Sequence, residues 1–215
     1  MIPKLVIFDC DGVLVDTEGP VSDIIASSLT RYGLPVSGAE CQDLFIGGTM
    51  QGVYHEAKSR GATLPDTWVD DIYRQMFDRL QQGVPTIAGV MELIDQLEER
   101  GVSIWVASNG PMQKMQYSLG PTGLWDRWAG RILSRENHAP KPAPDMLTFA
   151  LQQTGIDIRD AVMIDDSPTG CKSAQAIGMR CIGFAERGQD ADLRAVGAEV
   201  AHTMDDVSAL LGLDQ

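Results

Sequence analysis

The first apolar run of the chain, residues 5–8 (Leu-Val-Ile-Phe), is too short for a helix and ends abruptly in Asp9-Cys10-Asp11-Gly12. Four apolar residues closed by a glycine turn predict a short strand buried on both faces. From about residue 16 to 85 the pattern is almost wholly helical, broken at Gly33-Leu34-Pro35, at Gly47-Gly48 and across 61–65. After residue 85 it becomes an alternation. Val90, Leu93, Ile94 and Leu97 form the stripe of an amphipathic helix that Gly101 is placed to stop. A strand over 103–107 follows, then a helix over 144–154 and a strand over 161–164. Ser167-Pro168 reads as an N-cap and first-turn proline, Gly178 closes that helix, and 181–184 is a further strand.

Strand and helix alternating at this spacing predict an α/β fold, a doubly wound parallel sheet with a Rossmann-like core. The core is expected to comprise 1–15 and 86–215, with 16–85 inserted as an all-helical cap. Ligands of such sheets bind outside the carboxyl ends of the strands, so an insertion leaving from that edge is expected to act as a lid.

Composition narrows the partners. A formal net charge of −13, with no basic run, argues against nucleic acid. No apolar stretch approaches the roughly 20 residues that span a bilayer, and the first residues have no signal-peptide pattern, so no membrane is expected. Cys10, Cys41, Cys171 and Cys181 contain no CxxC pair and read as reduced thiols of a cytoplasmic protein. No obligate protein partner is evident.

The chemistry sits at the ends of the expected strands. The first ends in Asp9 and Asp11, the second in Ser108-Asn109-Gly110, and a later one in Asp165-Asp166-Ser167. Lys141 lies between Pro140 and Pro142, just before a helix. Two carboxylates about 4 Å apart repel by roughly 4 kcal/mol at an effective dielectric of 20, so such a cluster needs a counter-cation. A donor set of oxygens alone favours a hard ion, Mg2+. Lys141 can neutralise a nucleophile and a phosphate together, and Ser108 with nearby backbone N–H groups can hold phosphate oxygens.

The ordered motifs, Asp9-Cys10-Asp11-Gly12-Val13, a strand ending in Ser108, Lys141 before a proline-rich helix start and Asp165-Asp166-Ser167, resemble the haloacid dehalogenase superfamily. The resemblance is to its phosphatase and mutase branch with a helical cap. It implies Asp9 as a nucleophile that forms an aspartyl-phosphate and Asp11 as general acid, then base, aided by a pKa that a lid excluding water would raise. It implies magnesium held by the Asp9 carboxylate, the Asp11 backbone carbonyl and Asp166, with Asp165 alongside. Ser108 and Asn109 would bind phosphate, and Lys141 would bridge nucleophile and phosphate. The substrate would be a small phosphorylated metabolite, a sugar or sugar-acid phosphate. The stretches 106–111, 114–116 and 118–120 are similar to those of bacterial 6-phosphogluconate phosphatases within that superfamily.

Two other readings stand beside the phosphatase. A phosphosugar mutase of the β-phosphoglucomutase type would need a cap histidine where Val21 stands, and cations where Ile46-Gly47-Gly48-Thr49-Met50 has none. A phospho-accepting signalling domain would place its acidic pair and its phosphorylated aspartate in a different order. Other residues have ordinary explanations. Asp16-Thr17-Glu18 starts the first cap helix, Ser167 is a helix cap and Cys10 is a buried filler. His55, His138 and His202 lack metal-ligand spacing, and 47–49 is either a plain turn or a loop reaching the site.

Overall fold

The computed structural model describes residues 2–45, 50–186 and 188–213. The chain separates into two compact units, Met1–Val15 with Pro85–Gln215, and Asp16–Val84.

The described residues of the first unit form one parallel sheet. Its strands are β1 (Leu5–Phe8), β2 (Ser103–Ser108), β3 (Ile132–Ser134), β4 (Ala161–Asp165), β5 (Arg180–Phe184) and β6 (Glu199–Ala201), in the spatial order β3-β2-β1-β4-β5-β6. This is the doubly wound α/β architecture. All four residues of β1 are fully buried, as a central strand covered by helices on both faces requires, and this is why it reads as an unbroken apolar run.

The strand order carries the functional consequence. From β1 the chain winds outward to β2 and β3, then returns past β1 to build β4, β5 and β6 on the other side. The reversal lies between β1 and β4, where the carboxyl ends of a parallel sheet open a crevice. Phe8 pairs with Val106 of β2 and with Ile164 of β4, and Asp9 extends the ladder by donating its N–H to Ile164 O at 2.8 Å. Asp9 and Asp165 therefore end neighbouring strands at the same level.

Side-chain parity places them on one face. Leu5, Ile7, Ala161 and Met163 pack with Met146, Leu147 and Ala150 of α8 (Asp145–Thr154) and with Cys171 and Ala174 of α9 (Pro168–Gln175). Asp9 and Asp165 continue those rows at the rim. Val90, Leu93, Ile94 and Leu97 are all buried on α5 (Val90–Glu99), as their stripe predicts. Two three-residue strands, β3 and β6, carry no periodic signal of their own and go beyond the sequence reading. The strand expected over 161–164 runs one residue further, so Asp165 is its last residue rather than part of the loop.

The described part of the second unit is helical, with α1 (Glu18–Arg31), α2 (Gly38–Phe45), α3 (Met50–Ser59) and α4 (Trp68–Gln81). Ile25, Leu29, Trp68, Ile72 and Met76 share its core, and Trp68 Nε1 donates to the buried Ser28 Oγ at 2.9 Å, linking α4 to α1. Val21 packs against the same core. The loop at 46–49 lies outside the described residues. Where the chain leaves and re-enters the sheet unit, Val15 bridges Thr86 and Ile87 donates its N–H to Leu14 O at 3.1 Å. No helix among the described residues is long and apolar enough to cross a membrane.

Candidate active site

At the end of β1 the backbone folds into a tight turn, with Leu14 N–H on Cys10 O at 3.0 Å and Gly12 N–H on Val15 O at 2.9 Å. Gly12 has φ +78°, and a methyl group there would collide with the Asp166 carboxylate. Only glycine permits both the left-handed turn and that approach. Cys10, between the two aspartates, is buried, and burial pushes its thiol well above the usual range, so it is a filler rather than a nucleophile.

Lys141 is the centre of the site. Its Nζ lies 2.6 Å from Asp9 Oδ1 and 2.7 Å from Asp165 Oδ2, and the side chain is 3% exposed. Burial favours the neutral amine, yet Asp165 and Asp9 outweigh it and hold the ammonium above its ordinary pKa. The loop after β3 carries Lys141 back across the carboxyl ends of β2 and β1. Lys141 N–H donates to Asn109 Oδ1 at 2.8 Å and Asn109 Nδ2 donates to Lys141 O at 2.9 Å. Two residues on, Ala143 O accepts from Ser173 Oγ of α9 at 2.8 Å.

Asp165 is fully buried and its oxygens are well supplied with donors. Oδ2 faces Lys141, while Oδ1 accepts from Ser167 N at 2.9 Å and from Ser167 Oγ at 2.7 Å. Ser167 also caps α9, its Oγ accepting from Gly170 N at 3.1 Å. A methyl group at Gly170 would run into the Asp165 carboxylate, so that glycine lets the first turn of α9 lie against the site.

Asp9, Asp165 and Asp166 each bring one carboxylate oxygen to within 4.8 Å of the others. With all three ionised, the single positive charge of Lys141 would leave two negative charges uncompensated. Burial pushes Asp9 up to about 7 against the pull of Lys141, with repulsion from Asp165 and Asp11 adding to it. Burial together with Asp9 and Asp165 pushes Asp166 up to about 8. A cluster of hard oxygen donors short of two positive charges fits a divalent cation such as magnesium. Asp166 also lines a small recess with Gly12, Phe184, Glu186 and Gln189.

The Asp11 carboxylate is not part of this trio. Its Oδ2 lies 2.8 Å from Nζ of Lys114, on α6 (Met112–Leu119). Ser108 ends β2, is 2% exposed and accepts from Gly110 N at 2.9 Å. A methyl group at Gly110 would sit 3.2 Å from Ser108 Oγ and 3.7 Å from both Asp11 Oδ2 and Lys114 Cδ, so these groups share one corner.

Of the residues singled out in the sequence, Asp9, Lys141, Asp165 and Asp166 meet side chain to side chain. Ser108 and Asp11 lie beside them, and the Asn109 side chain is spent on the Lys141 backbone. His138 packs on Phe149 with ring centroids 4.8 Å apart, His202 Nε2 lies 3.1 Å from Asp190, and His55 packs edge-on against Tyr54. Lys114 had no role from the sequence. A signal was present, since a cation in the first turn of a helix works against the helix dipole and calls for a local reason.

Residues 6–184 match the model of the haloacid dehalogenase-like hydrolase family. The 6-phosphogluconate phosphatase of Escherichia coli is 27% identical, over 84% of this chain and 82% of its own length. A phosphoglycolate phosphatase of Pseudomonas putida is 25% identical, over 85% and 70%. Among solved structures, a haloacid dehalogenase-like protein of Agrobacterium tumefaciens superposes with a TM-score of 0.85 at 30% identity, covering 97% of both chains. A hydrolase of the same family from Deinococcus radiodurans, solved with bound phosphate and sodium, gives 0.86 at 29%, covering 98% of this chain and 96% of that one. With the doubly wound sheet, the acidic trio at its switch point and these likenesses, the chain belongs to the haloacid dehalogenase-like hydrolases, as an enzyme of their phosphatase group.

Proposed function

We propose that the chain hydrolyses the phosphate monoester of a small metabolite, a sugar or sugar-acid phosphate, with magnesium bound and through a phosphoryl group carried on Asp9. The observation that carries this reading is the Lys141 ammonium held 2.6 Å from Asp9, at the end of the central strand. A carboxylate needs no base to activate it as a nucleophile, and a fixed cation beside it lets a phosphate dianion approach without prohibitive repulsion.

Asp9 attacks phosphorus, the ester P–O bond breaks, and the leaving oxygen takes a proton from Asp11. Water then gives a proton to Asp11 and attacks the same phosphorus. The Asp9–phosphorus bond breaks, returning the Asp9 carboxylate and inorganic phosphate. Ser108 Oγ already accepts from Gly110 N, so its own proton is available to a phosphate oxygen. Asn109 contributes to phosphate binding through its backbone N–H, its side chain being committed to Lys141.

Magnesium would be held by the Asp9 and Asp166 carboxylates and the Asp11 backbone carbonyl, and when bound it offsets the charge of the phosphate oxygens. Asp165, with both oxygens engaged by Lys141 and Ser167, acts as a positioning residue for Lys141. The relatives named for 6-phosphogluconate and phosphoglycolate support a substrate that joins a phosphate to a carboxylic acid. Four free, buried cysteines support a reducing, cytoplasmic setting.

A phosphate-release screen over phosphorylated metabolites, with magnesium and with EDTA, tests the reading. Turnover that requires magnesium supports it. Lasting phosphorylation of the protein with no release of phosphate would instead mark a signalling domain.

A further inference from the structure

Lys114 stands at the reacting end of the site without a part in the chemistry described above. It lies in the first turn of α6, where the helix dipole repels a cation. Its ammonium is 2.8 Å from Asp11, the residue assigned to the leaving group, and its side chain is 20% exposed against 3% for Lys141. Lys141 is enclosed between Asp9 and Asp165, whereas Lys114 has a face toward solvent and two ammonium protons beyond the one directed at Asp11.

We propose that Lys114 selects leaving groups that carry a carboxylate close to the ester oxygen. The inference rests on the phosphatase reading and deepens it. To receive a proton from Asp11, the ester oxygen must come within hydrogen-bond reach, about 2.6–3.2 Å. Lys114 Nζ, itself 2.8 Å from Asp11 Oδ2, then lies within about 6 Å of that oxygen when Oδ2 delivers the proton and within about 8 Å when Oδ1 does. A carboxylate bonded to the ester carbon places its oxygens roughly 3–4 Å from the ester oxygen, within contact of Nζ. A chain of net charge −13 with an acidic trio in its site repels a second anionic group unless a cation meets it locally, and Lys114 is a cation at the required place.

The test compares phosphoglycolate with ethyl phosphate, which lacks the carboxylate, under saturating magnesium in the wild type, Lys114→Met and Lys114→Arg. A hydrogen bond to a charged group corresponds to about ten- to a hundredfold, so the wild type is expected to favour phosphoglycolate in kcat/KM by at least about tenfold. In Lys114→Met that ratio should fall toward one, chiefly through KM for phosphoglycolate, and Lys114→Arg should keep part of it. Because both esters use the same Asp9 and Asp11, a general loss of proton transfer lowers both rates and leaves the ratio alone. If Lys114→Met does not fold, Lys114→Gln serves for the same comparison. A ratio near one in the wild type, or one unchanged in the variant, overturns the role of Lys114. Release of phosphate from neither ester, while another phosphorylated metabolite is hydrolysed with magnesium, overturns the role of Lys114 alone; release from no phosphorylated metabolite overturns the phosphatase reading, and the inference with it.

Discussion

Asn109 and the backbone of Lys141 exchange two hydrogen bonds, at 2.8 and 2.9 Å, so the end of β2 holds the loop that carries the site's central cation. A lysine is a point charge on a flexible stem, and the place of its backbone decides which carboxylates it reaches. Asn109→Ala is therefore expected to lower kcat by about ten- to a hundredfold with a smaller change in KM, the cost of a misplaced charge rather than of a lost substrate contact. Steady-state kinetics beside a circular dichroism spectrum check this, and an unchanged kcat would remove the positioning role.

Gly12 brings the turn after β1 against Asp166. In Gly12→Ala the new methyl group must displace that carboxylate, and φ +78° adds strain of about 1 kcal/mol or more. Magnesium affinity measured by calorimetry should weaken at least about tenfold, a magnitude typical of disturbed ligand shells. Unchanged affinity would take Asp166 out of the metal site.

The acidic trio ties stability to pH. An unfolded aspartate ionises near pH 4, whereas Asp9 is pushed up to about 7 and Asp166 to about 8 in the folded chain. Between those limits the folded state holds more protons than the unfolded one, so the stability of the metal-free protein falls as pH rises. Thermal unfolding in EDTA should show a lower Tm at pH 8 than at pH 5.5, and magnesium should recover most of the difference at pH 8. A metal-free Tm that rises over this window would contradict the burial of these charges.

Ser167 serves two partners, capping α9 and donating to Asp165. Ser167→Ala should cost about 1–2 kcal/mol from the cap, read as a lower denaturant midpoint. A midpoint unchanged within error would show that water replaces the hydroxyl.

The parts of this molecule legible in its sequence are those where burial dictates the pattern. β1 and β4 lie inside the sheet, so each reads as an apolar run, and the charges that end them, Asp9 and Asp165, mark the edge where ligands bind. β3 and β6, three residues each, are too short to show a period and carry no such mark. Contacts made across long separations were also hidden. That Asn109 spends its side chain on Lys141, 32 residues away, depends on the return path of the loop after β3. That Asp11 turns to Lys114 rather than joining the trio depends on where α6 begins. Gly12 and Gly170 show their purpose only when the carboxylates beside them are in view.

Covalent catalysis by Asp9 is tested most directly by phosphate release from Asp9→Asn, with magnesium, on whichever ester the wild type hydrolyses best. The amide keeps the shape of the side chain and removes the nucleophile, so a folded variant should lose at least about a thousandfold in turnover. Acid-quenched wild type should carry one phosphoryl group on the peptide containing Asp9. Turnover by Asp9→Asn at a rate near that of the wild type would contradict the aspartyl-phosphate route.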